Sequence, residues 1–406
     1  MIALDERPVY ALKTAPAVPL SYEEAIERAR TLKPKLRERV AQAERLRHLP
    51  AENVADLLEN GLYGLMTPKR FGGSELGSEA MIDVTIELAS ACPATGWVHM
   101  LWTAHMWLLA LFTPRAQEEL WSNANTLASS VVSTEGDVVP VDGGYRWTGR
   151  GFFSSGVDHC NWLTAAVPIK REGSNGQPER RWMLIPREDL EIIDDWYTVG
   201  LKGTGSKTIV VNDIFIPEYR TIPNQLVEEG RAPGREIHAH PMYGAISSAN
   251  FTAAMAAPAL GVAYGFLAAF EERLRGKTAN IDDGLTVNFA DYANAAAQVD
   301  AAHALTLRNA QRLRCVPADQ VSPEERAKCR RDQAFTAQTS RKAVNALYAE
   351  CGGTGLFEKS DLQRLWRDVN AAAAHHGLTW DWVAAAYTRT ILGLPTNVPG
   401  FTFTRA

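Results

Sequence analysis

The chain has 406 residues, 46% hydrophobic and 22% charged, a globular composition that excludes a disordered or fibrous protein. Lys and Arg total 42 against 47 Asp and Glu, a net charge of -5, so the basic excess of a nucleic-acid binder is absent. The five cysteines, Cys92, Cys160, Cys315, Cys329 and Cys351, are odd in number and form no C-x-x-C pair, which argues against a disulfide scaffold or zinc ribbon and for a reducing cytoplasm.

The N-terminal MIALDERPVYALK carries acids and a proline where a signal peptide needs an apolar run, so a soluble intracellular protein is expected. Residues 1–125 read as a helical domain. Ser21 and Glu24 form a capping box, Pro34 and Pro50 punctuate the helices that follow, and Val54, Leu57, Leu58 and Leu62 repeat on one helical face. Thr67 to Gly77 is a glycine-containing turn. Gly96 to Phe112 is apolar all round but short for a membrane span, and it contains His99 and His105; it reads as a buried core helix.

Residues 126–235 change to strand grammar. TLASSVVS, VVPVDGGYRWTG, WLTAAVPI, RRWMLIP, LEIIDDWYTVG and KTIVVNDIFIP are short, rich in β-branched and aromatic residues, and separated by turns. Asp142-Gly143-Gly144 marks a hairpin, and Arg171 to Arg180 an exposed polar loop. Strands without intervening helices predict an antiparallel barrel or sandwich rather than a Rossmann sheet. Residues 236–406 are again helical and alanine-rich, predicting a four-helix bundle. Ser322 to Glu325 caps its third helix, and a fourth runs from Asp361 into the 380s.

Three clusters draw attention by residue type alone. Asp158-His159-Cys160 are adjacent on an extended segment, where side chains alternate in direction, and are assigned a structural role. His238 and His240 lack an evident third ligand, so no metal site is expected. The Gly203-Thr204-Gly205-Ser206 turn could bring backbone N–H groups close to an anion or a ring edge, but lacks the lysine of a phosphate-binding loop.

The order helices, strands, helices resembles the acyl-CoA dehydrogenase superfamily over nearly the whole chain. ACPATGW (Ala91 to Trp97), DGGYRWTGRGFFSSGVDHCNW (Asp142 to Trp162), WYTVGLKGTGS (Trp196 to Ser206) and CGGTG followed by LQRLWRDV (Cys351 to Val369) carry the resemblance. They are most similar to the oxygenase components of two-component flavin-dependent monooxygenases. Many dehydrogenases of this fold have an Arg-Asp pair, then seven residues, then a proton-abstracting glutamate. Here Arg367-Asp368 is followed at that spacing by His376, with His375 beside it.

The resemblance implies a homotetrameric, cytoplasmic enzyme that takes diffusible reduced FMN or FAD from a separate flavin reductase. It implies reaction with O2 through a C4a-hydroperoxyflavin and hydroxylation of a small aromatic substrate, with no part for nucleic acid or membrane. Ser155 matches the serine facing flavin N5, His375 the imidazole near the reacting flavin carbon, and His105 and Ser130 the contacts to a phenolic oxygen. His376 is a further substrate-side candidate, but neighbouring positions on a helix diverge by about 100°, so one of the two imidazoles is expected to face the site. Trp162, Trp196, Gly203, Thr204, Gly205 and Ser206 are the remaining cofactor-binding candidates.

The buried helix is bulkier than a small phenol requires, at Leu101-Trp102 and Met106-Trp107, and Gly244 stands where an arginine is expected. A phenol, an indole or other fused aromatic, a sulfur heterocycle and an amine all remain open as substrates. The alternatives are an FAD-dependent acyl-CoA dehydrogenase or oxidase of the same fold, which would purify yellow, and a non-enzymatic ligand-binding descendant.

Overall fold

The computed structural model describes residues 19–169, 179–278 and 289–396. The N-terminal stretch read for a signal peptide, and all but Glu179 and Arg180 of the polar loop expected at 171–180, lie outside those residues.

Ser21 accepts the Glu24 N–H and Glu24 caps the Ser21 N–H, opening α1 (Tyr22–Glu38). Pro34 lies within α1 instead of ending it, while Pro50 stands just before α3. The short α2 (Val40–Leu46) and α3 (Ala51–Glu59) follow, then α4 (Ser78–Ala91), α5 (Pro93–Leu109) and α6 (Pro114–Leu120). Every residue of α5 except Leu101 is buried, as expected of a helix apolar on all sides. Gly96 lets α5 approach α4 closely, because a Cβ there would stand 2.4 Å from the Ala89 Cβ. No helix among the described residues is long and apolar enough to cross a membrane.

The middle of the chain forms β1 (Ala128–Val131), β2 (Ser133–Val141), β3 (Gly144–Ser154), β4 (Trp162–Ile169), β5 (Glu179–Pro186), β6 (Glu191–Ile193), β7 (Lys207–Pro217) and β8 (Thr221–Pro223). One sheet has the order β1-β4-β5-β8 and the other β2-β3-β7-β6. Of the expected antiparallel barrel or sandwich, the closed barrel is not formed, and the antiparallel pairing is corrected at one strand pair. β1 runs parallel to β4, and the sheets do not close, because among the described residues the three-residue strands β6 and β8 end them without a partner across the gap. The sheets share an apolar layer that includes Val131, Trp147, Leu163, Val167, Ile185 and Ile209. The opposite face of the first sheet carries Ala128, Ala166, Trp182 and Leu184, which pack with α5 and the C-terminal helices in the main core.

After α7 (Asn224–Glu228) and α8 (Ser247–Asn250), the helical C-terminal region contains α9 (Ala257–Thr278), α10 (Phe289–Leu313), α11 (Pro323–Ala349), α12 (Asp361–Ala373) and α13 (Trp380–Ile391). Residues 251–256 form a turn that delays the start of α9. The single last helix expected from Asp361 is two helices, interrupted at Ala374 to Thr379. That interruption sets where His375 and His376 stand.

Candidate active site

β3 ends against the Gly203–Ser206 turn, and Ser155 follows directly. Gly156 beyond it has φ 69°, and its N–H donates to the Thr204 carbonyl at 2.8 Å. Ser155 is buried, and its Oγ accepts the Trp97 Nε1–H at 3.1 Å. A line of hydroxyls continues from it, Ser155 Oγ to Ser206 Oγ at 2.7 Å and Ser206 Oγ to Thr204 Oγ1 at 2.7 Å, ending on the Leu201 carbonyl at 3.0 Å. The end of the line sets every proton. Thr204 donates to a carbonyl, so Ser206 donates to Thr204 and Ser155 to Ser206. Ser155 Oγ is therefore left as an acceptor, with one lone pair taken by Trp97 and one to spare.

Trp97 also reaches the second candidate. Its ring lies 5.8 Å from the His375 ring, at 55°. His375 is not on a helix, because α12 has ended at Ala373; it caps a 3-10 turn, His376–Leu378, and its Nδ1 accepts the Gly377 N–H at 3.1 Å. Burial, with the Arg330 charge and then His376 adding to it, lowers the imidazole to about 4, so the ring is neutral at physiological pH. His376 points elsewhere: it is exposed, with its ring 5.3 Å from Trp382. One of the two imidazoles does face Trp97, but the chain leaving the helix separates them, not rotation along it.

His105 sits on α5 eight residues beyond Trp97, about 12 Å along the axis. Its Nδ1–H donates to the Ala128 carbonyl at 2.6 Å, which makes Nε2 an acceptor, and that atom is buried without a partner among the described residues. Burial lowers this imidazole to about 4. Phe251 lies 5.8 Å from the His105 ring, 5.5 Å from Trp182 and 6.4 Å from Trp107, an aromatic cluster beside the orphaned nitrogen. Ser130, two residues after Ala128 on β1, shares its face of the strand and is half-buried.

The remaining candidates divide. Trp196 donates Nε1–H to the Leu201 carbonyl at 3.2 Å, and its ring meets Phe153 edge-on at 6.3 Å. Phe153 has φ 63° and is 67% exposed, a strained backbone that presents an aromatic ring to the outside. Gly203 is a packing glycine: a Cβ there would lie 2.8 Å from Ala43 Cβ and 3.0 Å from Ala94 Cβ. Gly205 has φ 54° with Asp158 against it. Trp162 is placed apart, under Arg220 at 5.3 Å, in an open cleft with Asn161, Glu119 and Glu188.

Asp158, His159 and Cys160 take separate partners: the Lys207 ammonium, the Leu49 carbonyl and the Gly156 carbonyl. His238 bonds Gln117, and His240 caps Met242. Among the described residues, no three His, Cys, Asp or Glu side chains are grouped to hold a metal.

Two supporting residues escape sequence reasoning. Asp368 Oδ1 accepts the Leu201 N–H at 2.7 Å and so ties α12 to the turn bearing Thr204 and Ser206; the Arg-Asp pair was a signal for it. Arg330 of α11 donates to the Gly377 carbonyl at 3.0 Å, and nothing local in the sequence marks it. The donor set fits a reduced isoalloxazine: Ser155 Oγ keeps a lone pair for a ring N–H, and uncharged His375 stands across Trp97 from it.

Family models describe the same chain in two parts. Residues 24–124 match the acyl-CoA dehydrogenase N-terminal domain and residues 253–380 the acyl-CoA dehydrogenase C-terminal domain. The oxygenase subunit HsaA of a flavin-dependent monooxygenase from Mycobacterium tuberculosis is 36% identical over 355 residues, 85% of this chain and 89% of that one. Its solved structure superposes with a TM-score of 0.87 at 33% identity, covering 93% of this chain and 100% of that one. The oxygenase component of an FADH2-dependent resorcinol hydroxylase from Rhizobium sp. is 32% identical, over 87% of this chain and 90% of that one. XiaF from Streptomyces sp., solved with FADH2 and glycerol, gives a TM-score of 0.84 at 28% identity, with 93% of this chain and 97% of that one covered. The chain belongs to the acyl-CoA dehydrogenase superfamily, in its branch of oxygenase components of two-component flavin-dependent monooxygenases.

Proposed function

We propose that this chain is the oxygenase component of a two-component monooxygenase that takes reduced FMN or FAD from a separate reductase and uses O2 to hydroxylate an aromatic substrate. The observation that carries the reading is Trp97, which donates to Ser155 on one side and faces His375 on the other, placing an acceptor hydroxyl and a neutral imidazole on one wall. At the position where many dehydrogenases of the fold hold their glutamate stands His376, exposed and turned to Trp382.

Reduced flavin, when bound, supplies the electrons that activate O2. Ser155, locked as an acceptor by the hydroxyl line behind it, holds the proton of a ring N–H in place. The aromatic side chains Trp196 and Phe153 would flank the ring and keep water off it, with Thr204, Ser206, Gly203 and Gly205 forming the wall that orients Ser155. His105 Nε2 accepts from a substrate O–H or N–H, which raises electron density on the ring to be attacked. Ser130 adds a second polar contact from the same strand face. Substrates are phenol- or indole-like, in keeping with the cluster of Phe251, Trp107 and Trp182 beside His105.

The same reading divides the chain at 1–125, 126–235 and 236–406, supported by the two family-model matches, and takes α9 to α12 as a four-helix bundle. It makes the protein a cytoplasmic homotetramer. The exposed apolar side chains Leu356, Phe357 and Leu392 on the C-terminal region support self-association there.

The test is anaerobic binding of reduced FMN or FAD followed by oxygenated buffer, with and without a phenol or indole. A spectral species that precedes oxidised flavin, and hydroxylated product, are expected. Immediate appearance of oxidised flavin with both cofactors and no product would refute the proposal. A yellow protein bleached by an acyl-CoA would establish the dehydrogenase instead.

A further inference from the structure

We propose that Arg330 and Gly377 together hold His375 as a neutral imidazole with its proton on Nε2, which makes Arg330 a positioning residue for the reaction; the consequence for catalysis, though not the clamp, rests on the function proposed above. The Gly377 N–H donates to His375 Nδ1 at 3.1 Å. An amide nitrogen only donates, so Nδ1 must offer its lone pair and the proton of the neutral ring lies on Nε2. Charging the ring would set a second N–H against that amide.

Arg330 keeps Gly377 where this contact is made. One guanidinium nitrogen donates to the Gly377 carbonyl at 3.0 Å, and another to Gln333 Oε1 at 2.8 Å and Thr252 Oγ1 at 3.2 Å, so the fork is tied on three sides. The glycine is where guanidinium and imidazole converge: a Cβ there would lie 3.0 Å from Arg330 Nη2 and 3.3 Å from His375 Nδ1. A fixed positive charge at this distance opposes a second one on the imidazole. The charged or titratable groups acting on His375 are Arg330 from α11 and His376 from its own turn; α5 presents the uncharged Trp97. Thr252 follows Phe251 in the chain, so the same guanidinium joins the segment at the His105 cluster to the turn that carries His375.

The experiment begins without flavin. Nitrogen-15 histidine spectra of the full chain are titrated between about pH 3.5 and 8 for the parent, Arg330→Met, Arg330→Lys and Gly377→Ala. His375 in the parent is expected to remain the neutral Nε2–H form above about pH 5 and to titrate near 4. In Arg330→Met its midpoint should move up by about one pH unit, and Arg330→Lys should restore much of the parental behaviour. An unchanged midpoint and tautomer in Arg330→Met, with native tryptophan fluorescence, overturns the proposal. Should Arg330→Met not fold, Gly377→Ala decides: displacing the guanidinium by a few tenths of an ångström gives a smaller shift in the same direction, and a folded Gly377→Ala without one overturns it too.

With reduced flavin and an aromatic substrate, Arg330→Met should lose product per flavin oxidised at about pH 5 more than at about pH 8, where His375 is neutral in both. A histidine shift in a protein whose parent forms no product would support the clamp while refuting the proposed function.

Discussion

Replacing Asp368 by asparagine removes a buried negative charge while keeping the acceptor that anchors Leu201. Burial raises this carboxyl from its ordinary 3.8 to about 6, against the opposing pull of the Leu201 N–H. The neighbouring cations do not form ion pairs with it: Arg364 pairs with Asp361 at 3.0 Å and Arg367 with Glu44 at 2.9 Å. A folded-state value above the unfolded one means that the fold binds the proton more tightly. Stability from this group is thus greatest below about pH 4 and falls as pH rises through 6. About two pH units at 1.36 kcal/mol each make this loss about 3 kcal/mol, fully present by pH 8.

The amide has no charge to bury, although a new N–H₂ without an acceptor would return about 1 to 3 kcal/mol of it. Asp368→Asn should therefore be between equal to and about 2 kcal/mol more stable than the parent at pH 8. More robustly, its stability relative to the parent should rise by about 3 kcal/mol from pH 4 to pH 8. Calorimetric or urea unfolding of both proteins across that range measures the difference. A pH-independent difference, or a variant that falls further behind as pH rises, would refute the reasoning, since the latter is the signature of an ion-paired carboxylate.

Other substitutions test the wall more directly. Ser155→Ala removes the acceptor while leaving the backbone, and product per reduced flavin should fall about tenfold, the worth of one hydrogen bond near 1.4 kcal/mol, with peroxide rising in its place. Trp97→Phe, which keeps the ring and deletes the N–H to Ser155, should show the same uncoupling more weakly in the same product and peroxide assay. His105→Ala should raise KM for a phenolic substrate about tenfold, because it deletes the acceptor Nε2, and steady-state kinetics at saturating flavin would show it. Gly203→Ala drives a methyl group to 2.8 Å from Ala43 Cβ, and a loss of about 1 to 3 kcal/mol in denaturant unfolding is expected.

Much of the scaffold was legible because its signals are local. The Ser21 and Ser322 caps, the Asp142-Gly143 hairpin and the burial of α5 all follow from side-chain chemistry within a few residues, and each is where the sequence placed it. Closure of a sheet is not local. The same strands could end in a barrel or in two open layers, and the sequence left both open; the pairing of edges decides for two layers, and β1 pairs in parallel with β4 where an antiparallel arrangement was expected. Likewise Pro34 reads as a stop, yet α1 continues through it, with Ala29, Leu32 and Leu36 buried on either side to hold it.

The site shows the same division. By itself, the sequence determined which residue types were present for chemistry: the two serines of the FSSG string, an imidazole pair where many relatives of the fold carry a glutamate, and a histidine inside an apolar helix. Which of them meet depends on how distant elements pack. Trp97 joins Ser155, 58 residues away, to His375 on a turn from the far end of the chain, the break after α12 turns His375 toward that ring and His376 toward Trp382, and Trp162 is left in a separate cleft. The physical reason is that a side chain's identity sets which bonds it can make, whereas its partner is set by packing among elements distant in sequence, where no periodicity or spacing records the contact.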